Sequence, residues 1–520
     1  MGNKILAKNI GSMSVAVLIS RFFGLARDII FAGFFGASYV ADAFQVGYQI
    51  PNLLRKLFGE GALSAAFIPI YNEIEIKRGR KEQISFALNI LSLLTLFLTI
   101  LTFIGIIFAP IIARLLAPGF DEQSYLLTVK LTRIMFPYLF LIGLSSTLIS
   151  ILNSHDYFFI PGLSSAFLNI GMILFLVVFS LVQQADVEEK VTILALGVLF
   201  GGVLQTIINL PLLKKIGYHI KINLNMKGQA ISELWRRFIP GVIGLAIREI
   251  NLAVDLILAS FLVSGSIAAL QYGNRLMQLP LGIIGISASS AVLPMFSRYT
   301  ANKDWKNLSE SLRFSIVTLI YLMLPITMIF LGLGKDIIRL LFMRGAFDLY
   351  ALNMTYWALL FYSVGLVFFS LTRTIIPIYY ANKDTKTPVK ISAFIVLLNI
   401  ILNVILMQFL AHGGLALASS ISSMVHYFIL ITILKKKLPE ISIKKLNHNI
   451  VKIVFMSLIL FLLIHLTSQY FVVIKTTELL LKITLYLIAC SIVYYLGTYL
   501  LKVEYIGNIK ELLWKRSRRT

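Results

Sequence analysis

Apolar runs of about 20 residues, the length a helix needs to cross the hydrocarbon core of a bilayer, recur from one end of this 520-residue chain to the other. Residues 90–112, 163–181, 191–213, 314–333, 391–410 and 451–466 are examples. Inside lipid every backbone N–H and C=O needs an internal partner, and a helix supplies it. The chain is 58% hydrophobic and 14% charged, whereas soluble domains carry about a quarter charged residues. A soluble α/β fold is excluded. The expected fold class is an all-α polytopic membrane protein.

The formal net charge of +23 invites a nucleic-acid reading, but its distribution argues for topology instead. Basic residues cluster between spans: Lys77, Arg78, Arg80 and Lys81; Lys214, Lys215, Lys221, Lys227, Arg236 and Arg237; Lys383, Lys386 and Lys390; Lys435, Lys436, Lys437, Lys444 and Lys445; and the tail Lys515, Arg516, Arg518 and Arg519. The alternate loops are short, neutral or acidic, such as Asp121/Glu122 and Asp186/Glu188/Glu189. This is the positive-inside pattern. It places both termini in the cytoplasm and requires no nucleic-acid partner. Arg21, Arg27 and Asp28 interrupt the first apolar run, so that segment is expected to stay as a span and not to be cleaved as a signal. Cys490 is the only cysteine and the six histidines are scattered. Neither a disulfide nor a zinc-type metal site is expected.

About 14 spans are expected, near 10–34, 41–70, 84–113, 124–152, 160–182, 191–213, 237–263, 267–297, 310–333, 347–377, 387–410, 414–434, 450–471 and 477–501. The second contains Asp42, Pro51, Arg55, Lys56 and Glu60, yet the basic loop after it must be cytoplasmic, which requires a crossing there. An internal repeat with an offset of about 225 residues supports two six-span units. Arg114-Leu-Leu followed by Gly119-Phe corresponds to Arg339-Leu-Leu followed by Gly345-Ala-Phe. Ala65-Ala-Phe-Ile-Pro69 corresponds to Ser290-Ala-Val-Leu-Pro294, and Pro161-x3-Ser165-Ala-Phe to Pro388-x3-Ser392-Ala-Phe. Six is even, so the two units share one orientation, and rocking one against the other gives alternating access. The expected division is an N-terminal lobe 1–214, a linker 215–236, a C-terminal lobe 237–436, a linker 437–449, two appended spans in 450–501 and a basic tail 502–520.

Charges inside spans are costly, on the order of 3 kcal/mol each at the helix centre, so they mark partners or wet cavities. Span 1 reads Ser20-Arg21-Phe-Phe-Gly24-Leu-Ala-Arg27-Asp28, with Arg21, Gly24 and Asp28 on one stripe. Span 2 carries Asp42, then Pro51-Asn-Leu-Leu-Arg55-Lys56 and Gly59-Glu60-Gly61, and span 8 carries Asn274-Arg275 ahead of Pro280. Each has a plain alternative: Arg27 paired with Asp28, or Arg55 and Lys56 snorkelling to headgroups. Taken together, Arg21, Arg27 and Arg275 lack obvious neutralising carboxylates. Arginine suits bidentate phosphate contacts, so a net-positive cavity fits an anionic, phosphate-bearing cargo. Pro51 and Pro280 predict bent helices. Asp255 is the leading candidate for a coupling cation or proton, Asp384 a weaker one, and a salt bridge is the alternative for Asp255.

The motifs Ser20-Arg21-x-x-Gly-x-Ala-Arg27-Asp28, Asp42-Ala-Phe, Pro51-Asn-Leu-Leu-Arg55, Glu60-Gly-Ala-x-Ser-x-Ala-Phe-x-Pro69 and Asn274-Arg275-Leu-Met-x-x-Pro280-x-Gly closely resemble the MurJ (MviN) lipid II flippases of the multidrug/oligosaccharidyl-lipid/polysaccharide exporter superfamily. The resemblance covers the whole chain. It implies cavity residues at Arg21, Arg27, Asp42, Arg55 and Arg275, with Glu60 in support. It also implies that the last two spans form a groove for the polyprenyl tail. Some members have an acidic residue three positions after the span 8 arginine, where this chain has Gln278. Some have a sodium site that includes an aspartate in span 7, a position Asp255 fills.

The expected function is therefore a flippase moving lipid II from the inner to the outer leaflet of the bacterial cytoplasmic membrane. Its partners are lipid II and membrane lipids. It is expected to be a monomer, in association with cell-wall synthesis proteins, and it is not expected to be an enzyme. No cofactor is expected, while Na+ or H+ coupling stays open beside the membrane potential. The alternatives are an exporter of another polyprenyl-linked oligosaccharide or a cation-coupled multidrug antiporter, the latter disfavoured by a basic cavity. A membrane glycosyltransferase would need a catalytic carboxylate or metal in a sizeable outer loop, and the outer loops are short.

Overall fold

The computed structural model of the chain describes residues 2–55, 62–179, 186–219, 223–224, 229–441, 446–468 and 475–503, and every regular element among them is helical. In chain order these are α1 (Gly2–Phe35), α2 (Tyr39–Arg55), α3 (Ala62–Arg78), α4 (Arg80–Ile107), α5 (Ala109–Leu116), α6 (Glu122–Met135), α7 (Tyr138–Ser154), α8 (Phe159–Leu174), α9 (Val187–Ile207) and α10 (Leu210–Lys215). There follow α11 (Gln229–Ala259), α12 (Ser266–Pro280), α13 (Ile286–Ala301), α14 (Trp305–Phe342), α15 (Leu349–Ala381), α16 (Lys386–Leu410), α17 (His412–Lys437), α18 (Leu446–Ser468) and α19 (Thr476–Leu500). The protein is an all-α polytopic membrane protein.

Among the described residues, ten helices are long and apolar enough to cross a membrane. The remaining expected spans are α1, α2 with α3, α11, and α12 with α13. These hold the intramembrane charges or are interrupted, which is why length and apolarity alone pass over them. Span 8 is interrupted at its proline: α12 ends at Pro280, a π-helical turn covers Leu281–Gly285, and α13 resumes at Ile286. A proline there removes one backbone donor and crowds the preceding turn. Span 3 departs from expectation. Its apolar run is broken at Phe108, where Ala109-Pro110 opens the short α5, because proline suits the first turn of a new helix better than the interior of an old one.

Contacts divide the chain into two compact units, Met1–Ala268 with Arg344–Phe347, and Ala269–Met343 with Asp348–Thr520. Span 7 (α11) packs on α3 and α5 and belongs to the first unit.

In the first unit, α8 and α9 approach backbone to backbone: a Cβ on Gly171 would meet the Cα of Gly201 at 2.4 Å. Small residues at such a seam let membrane helices gain dispersion and packing energy that lipid cannot supply. The two repeated turns are also used reciprocally within this unit. Gly345, with φ of +55°, sits where a Cβ would be 2.3 Å from the carbonyl of Gly33 at the end of α1, and the Ala346 amide donates to that carbonyl at 2.8 Å. Gly119 sits where a Cβ would be 2.6 Å from the carbonyl of Ser260, just past the end of α11, and its amide donates to Ser260 Oγ at 3.1 Å. Each repeat's turn therefore closes on the first span of the other. The second unit is built on α14, α15 and α17. Its α18 and α19 lie against α14, where the Tyr494 hydroxyl donates to the Tyr321 carbonyl at 2.9 Å.

Candidate functional site

The charged stripe of α1 is held by packing on α8, with Ser20 Oγ 2.6 Å from Ser165 Oγ. Arg21 is exposed. Arg27 and Asp28 are partly buried, at 23% and 17% side-chain exposure, and form an ion pair of 2.6 Å. Nε and Nη2 of Arg27 both donate to Asp28 Oδ1, at 3.0 and 2.6 Å, while Nη1 meets the Met172 sulfur at 3.9 Å. The plain alternative for Arg27 is thus realised in this conformation. It does not exhaust the side chain: a guanidinium has five N–H donors, and Asp28 takes two. The pair is neutral as a whole, and its guanidinium is pre-oriented with N–H capacity left for further acceptors.

Asp42 is 3% exposed, and both its carboxylate oxygens are engaged. The amide of Gly265 donates to Oδ2 at 2.7 Å and that of Ala268 to Oδ1 at 2.8 Å. These are the free amides at the start of α12, so Asp42 satisfies orphan donors and places its charge on the positive end of the helix dipole. Asp42, expected from sequence among the cargo contacts, is engaged here at the start of α12. A positioning carboxylate 223 residues away in sequence leaves no local signature.

Arg55 closes α2, and its side chain lies outside the described residues, as does the whole of Glu60. Arg275 lies in the second unit, half-buried on α12. One turn on, Gln278 donates to Asn274 Oδ1 at 2.9 Å and is so tied to its own helix. Asp255 of α11 accepts from Asn251 Nδ2 at 3.5 Å. Asp384 is committed elsewhere. It accepts from Lys437 Nζ at 2.6 Å and from the Thr387 amide at 3.0 Å. Those bonds, the lysine's first, hold its carboxyl down at about 2. It anchors the start of α16 to the end of α17. Among the described residues, no group of three or more His, Cys, Asp or Glu side chains is placed to hold a metal ion.

A polar node where α3 meets α4 escaped the sequence reading. Arg80 Nη1 donates to His155 Nε2 at 2.7 Å and Nη2 to the Ile216 carbonyl at 2.8 Å; Tyr71 bridges His155 and Tyr218. Because a guanidinium can only donate, His155 Nε2 must be the acceptor and the ring neutral. Burial, and then the Arg80 charge, hold its pKa below the ordinary value.

A family profile described as "Lipid II flippase MurJ" matches residues 31–482. A "Probable lipid II flippase MurJ" of Buchnera aphidicola subsp. Baizongia pistaciae is 36% identical over 428 residues, 82% of each chain. One from Bdellovibrio bacteriovorus is 30% identical over 514 residues, covering 98% of this chain and 97% of that protein. A solved structure titled "Lipid II flippase MurJ, inward closed conformation" superposes with a TM-score of 0.79 at 28% identity, covering 96% of this chain and 99% of that one. An inward-facing multidrug-resistance transporter of the MATE family, 15% identical, gives 0.64 over 83% of this chain and 99% of its own. That likeness concerns the fold alone.

Proposed function

This chain belongs to the lipid II flippase MurJ family, and on that premise we propose that it carries lipid II across the cytoplasmic membrane, from inner to outer leaflet, by alternating access. The observation that carries the reading at the site is the Arg27–Asp28 pair: a partly buried guanidinium within a membrane helix, oriented by its neighbour, with donors to spare. Arg21, two turns earlier and exposed, adds a second cation, and Arg55 and Arg275 are proposed to complete the set. The diphosphate of lipid II supplies the complementary charge. Each charge-assisted hydrogen bond contributes about 1.5–3 kcal/mol, enough to draw the head from water while the chain stays in lipid. No bond is made or broken, so the site needs orientation and desolvation but no general acid or base.

Asp255 is the proposed coupling-ion position, and Asp384, already held by Lys437, is not. The membrane potential can also act directly, since one elementary charge crossing 100 mV is worth about 2.3 kcal/mol. The protein is proposed to work as a monomer beside cell-wall synthesis proteins.

The test is exposure of lipid II on the outer leaflet of cells that depend on this chain for it. Arg27→Ala should abolish exposure at normal protein level, while Asp28→Asn, which removes only the intramolecular partner, should retain part of it. Full exposure with Arg27→Ala overturns the assignment.

A further inference from the structure

Span 6 does not end as one helix. Pro211 has no N–H to continue the ladder, so α9 stops at Ile207 and α10 starts at Leu210. The Asn209 amide turns to the Thr206 carbonyl at 3.2 Å. The Gln205 carbonyl accepts instead from the Ser145 and Ser164 hydroxyls, both at 3.1 Å, and from Asn209 Nδ2 at 2.8 Å. The start of α10 is thus fixed to α7 and α8 by groups that do not titrate. Its other end is a Schellman turn: the Gly217 amide, with φ of +90°, donates to the Lys214 carbonyl at 3.0 Å and the Tyr218 amide to the Leu213 carbonyl at 3.2 Å. The Ile216 carbonyl, beyond the helix ladder, takes Arg80 Nη2 at 2.8 Å.

Residues 216–218 begin the strap that leads from span 6 to span 7, on the side that the basic loops assign to the cytoplasm. Arg80 of α4 grips this strap twice, through the Ile216 carbonyl and with its guanidinium over the Tyr218 ring, 5.6 Å from the centroid. Tyr218 also shares a hydrogen bond with Tyr71 of α3. The same guanidinium donates to His155 Nε2 at 2.7 Å. The charged and titratable groups about His155 are Tyr71 and Glu75 of α3, Arg80 of α4, Asp156 beside it in the chain, and Tyr218 of the strap. Burial and Arg80 oppose a proton on the ring more than Glu75 and Asp156 favour it. A protonated Nε2 can only donate, and so can a guanidinium. A proton there turns the contact from attraction to repulsion, and Arg80 has to move.

We propose that Arg80 and His155 form a latch on this strap that opens when the cytoplasmic side acidifies. With His155 neutral, Arg80 holds residues 216–218 against α3 and α4. With His155 protonated, Arg80 withdraws, the Ile216 carbonyl loses its donor and the Tyr218 ring loses its cation. The anchorage of α10 through the Gln205 carbonyl persists, because none of its donors changes charge. Release is therefore confined to the strap, and it lengthens the free connection to span 7. The latch is independent of the residues assigned to cargo and to coupling.

The test is hydrogen–deuterium exchange of the full chain in detergent, one pH unit above and one pH unit below the ordinary histidine pKa of about 6.5, with labelling times scaled to the intrinsic exchange rate. A released His155 takes up its proton at that ordinary value, so one unit below it the open population rises by up to about tenfold. Peptides covering residues 213–219 should lose protection severalfold, up to that limit, and peptides covering 203–209 should not. His155→Gln, whose side-chain oxygen accepts from Arg80 and takes no proton, should keep 213–219 protected at both values. Arg80→Gln should leave them weakly protected at both. Equal protection of 213–219 at the two values in the unmodified chain, an equal acid loss at 203–209, or an undiminished acid effect in His155→Gln overturns the proposal.

Discussion

Replacing Asp42 by alanine tests whether a single carboxylate holds the start of α12. The side chain is 3% exposed and accepts from the amides of Gly265 and Ala268 at 2.7 and 2.8 Å. Alanine removes a helix cap, which costs roughly 0.5–2 kcal/mol. It also leaves buried donors unpaired, at roughly 1–3 kcal/mol. These overlap, because the cap is the set of hydrogen bonds, so about 3 kcal/mol is the expected local loss. At 1.4 kcal/mol per tenfold, that is roughly a hundredfold rise in local opening. Hydrogen–deuterium exchange of peptides covering residues 262–270 reads this directly: their protection should fall by about two orders of magnitude, while peptides of α17 stay unchanged. Asp42→Asn should fall between, since the amide keeps one acceptor and turns a donor toward the other N–H. Unchanged protection at 262–270 in Asp42→Ala refutes the capping role.

Three further outcomes follow from the same geometry. Gly345→Ala should lower the thermal midpoint and Gly11→Ala should not, because a Cβ at Gly345 meets the Gly33 carbonyl at 2.3 Å with φ at +55°, while Gly11 has open space; equal midpoints contradict the close packing of that turn. His155 is held neutral with its pKa lowered by burial and by Arg80. The folded value is below the unfolded one, so its contribution is full above the unfolded pKa of about 6.5 and is lost as pH falls through the folded value. The thermal midpoint should therefore drop on acidification below pH 6.5, and His155→Gln should flatten that drop; an unflattened profile excludes His155 as its source. Asp255→Asn should alter the dependence of transport on an imposed Na+ or proton gradient, whereas Asp384→Asn should not, because Lys437 already holds that carboxylate at 2.6 Å. The reverse pattern would move the coupling site.

Much of this architecture is legible in the sequence for physical reasons. Apolar length and the alternation of basic loops are local, one-dimensional signals, and they mark helices such as α4, α14 and α16 directly. Pro280 announces the break in the α-helix of span 8 because proline lacks a donor wherever it stands. The repeat is legible because the turn glycines Gly119 and Gly345 recur in order. What they pack against was not legible: Gly119 meets Ser260 and Gly345 meets Gly33, pairings that only tertiary contact creates. The same holds for charged partners. Arg27 and Asp28 are adjacent, so their pairing could be weighed from sequence. Asp42 with Gly265, and Asp336 with Lys482, are each more than a hundred residues apart, and no periodicity joins them. Span 3 misled because hydropathy does not register a break: residues 108–110 are as apolar as their neighbours, yet proline starts a new helix there.

The central claim, that cationic side chains of α1 carry a diphosphate-linked lipid across the membrane, is tested most directly by transport with the purified protein. Lipid II placed in one leaflet of proteoliposomes, with membrane potential and ion gradients imposed separately, should reach the other leaflet faster than in protein-free vesicles. Arg27→Ala protein of equal thermal stability should bring that rate down to the protein-free background. Transfer at the background rate by the unmodified protein under every gradient, or undiminished transfer by Arg27→Ala, would contradict the account.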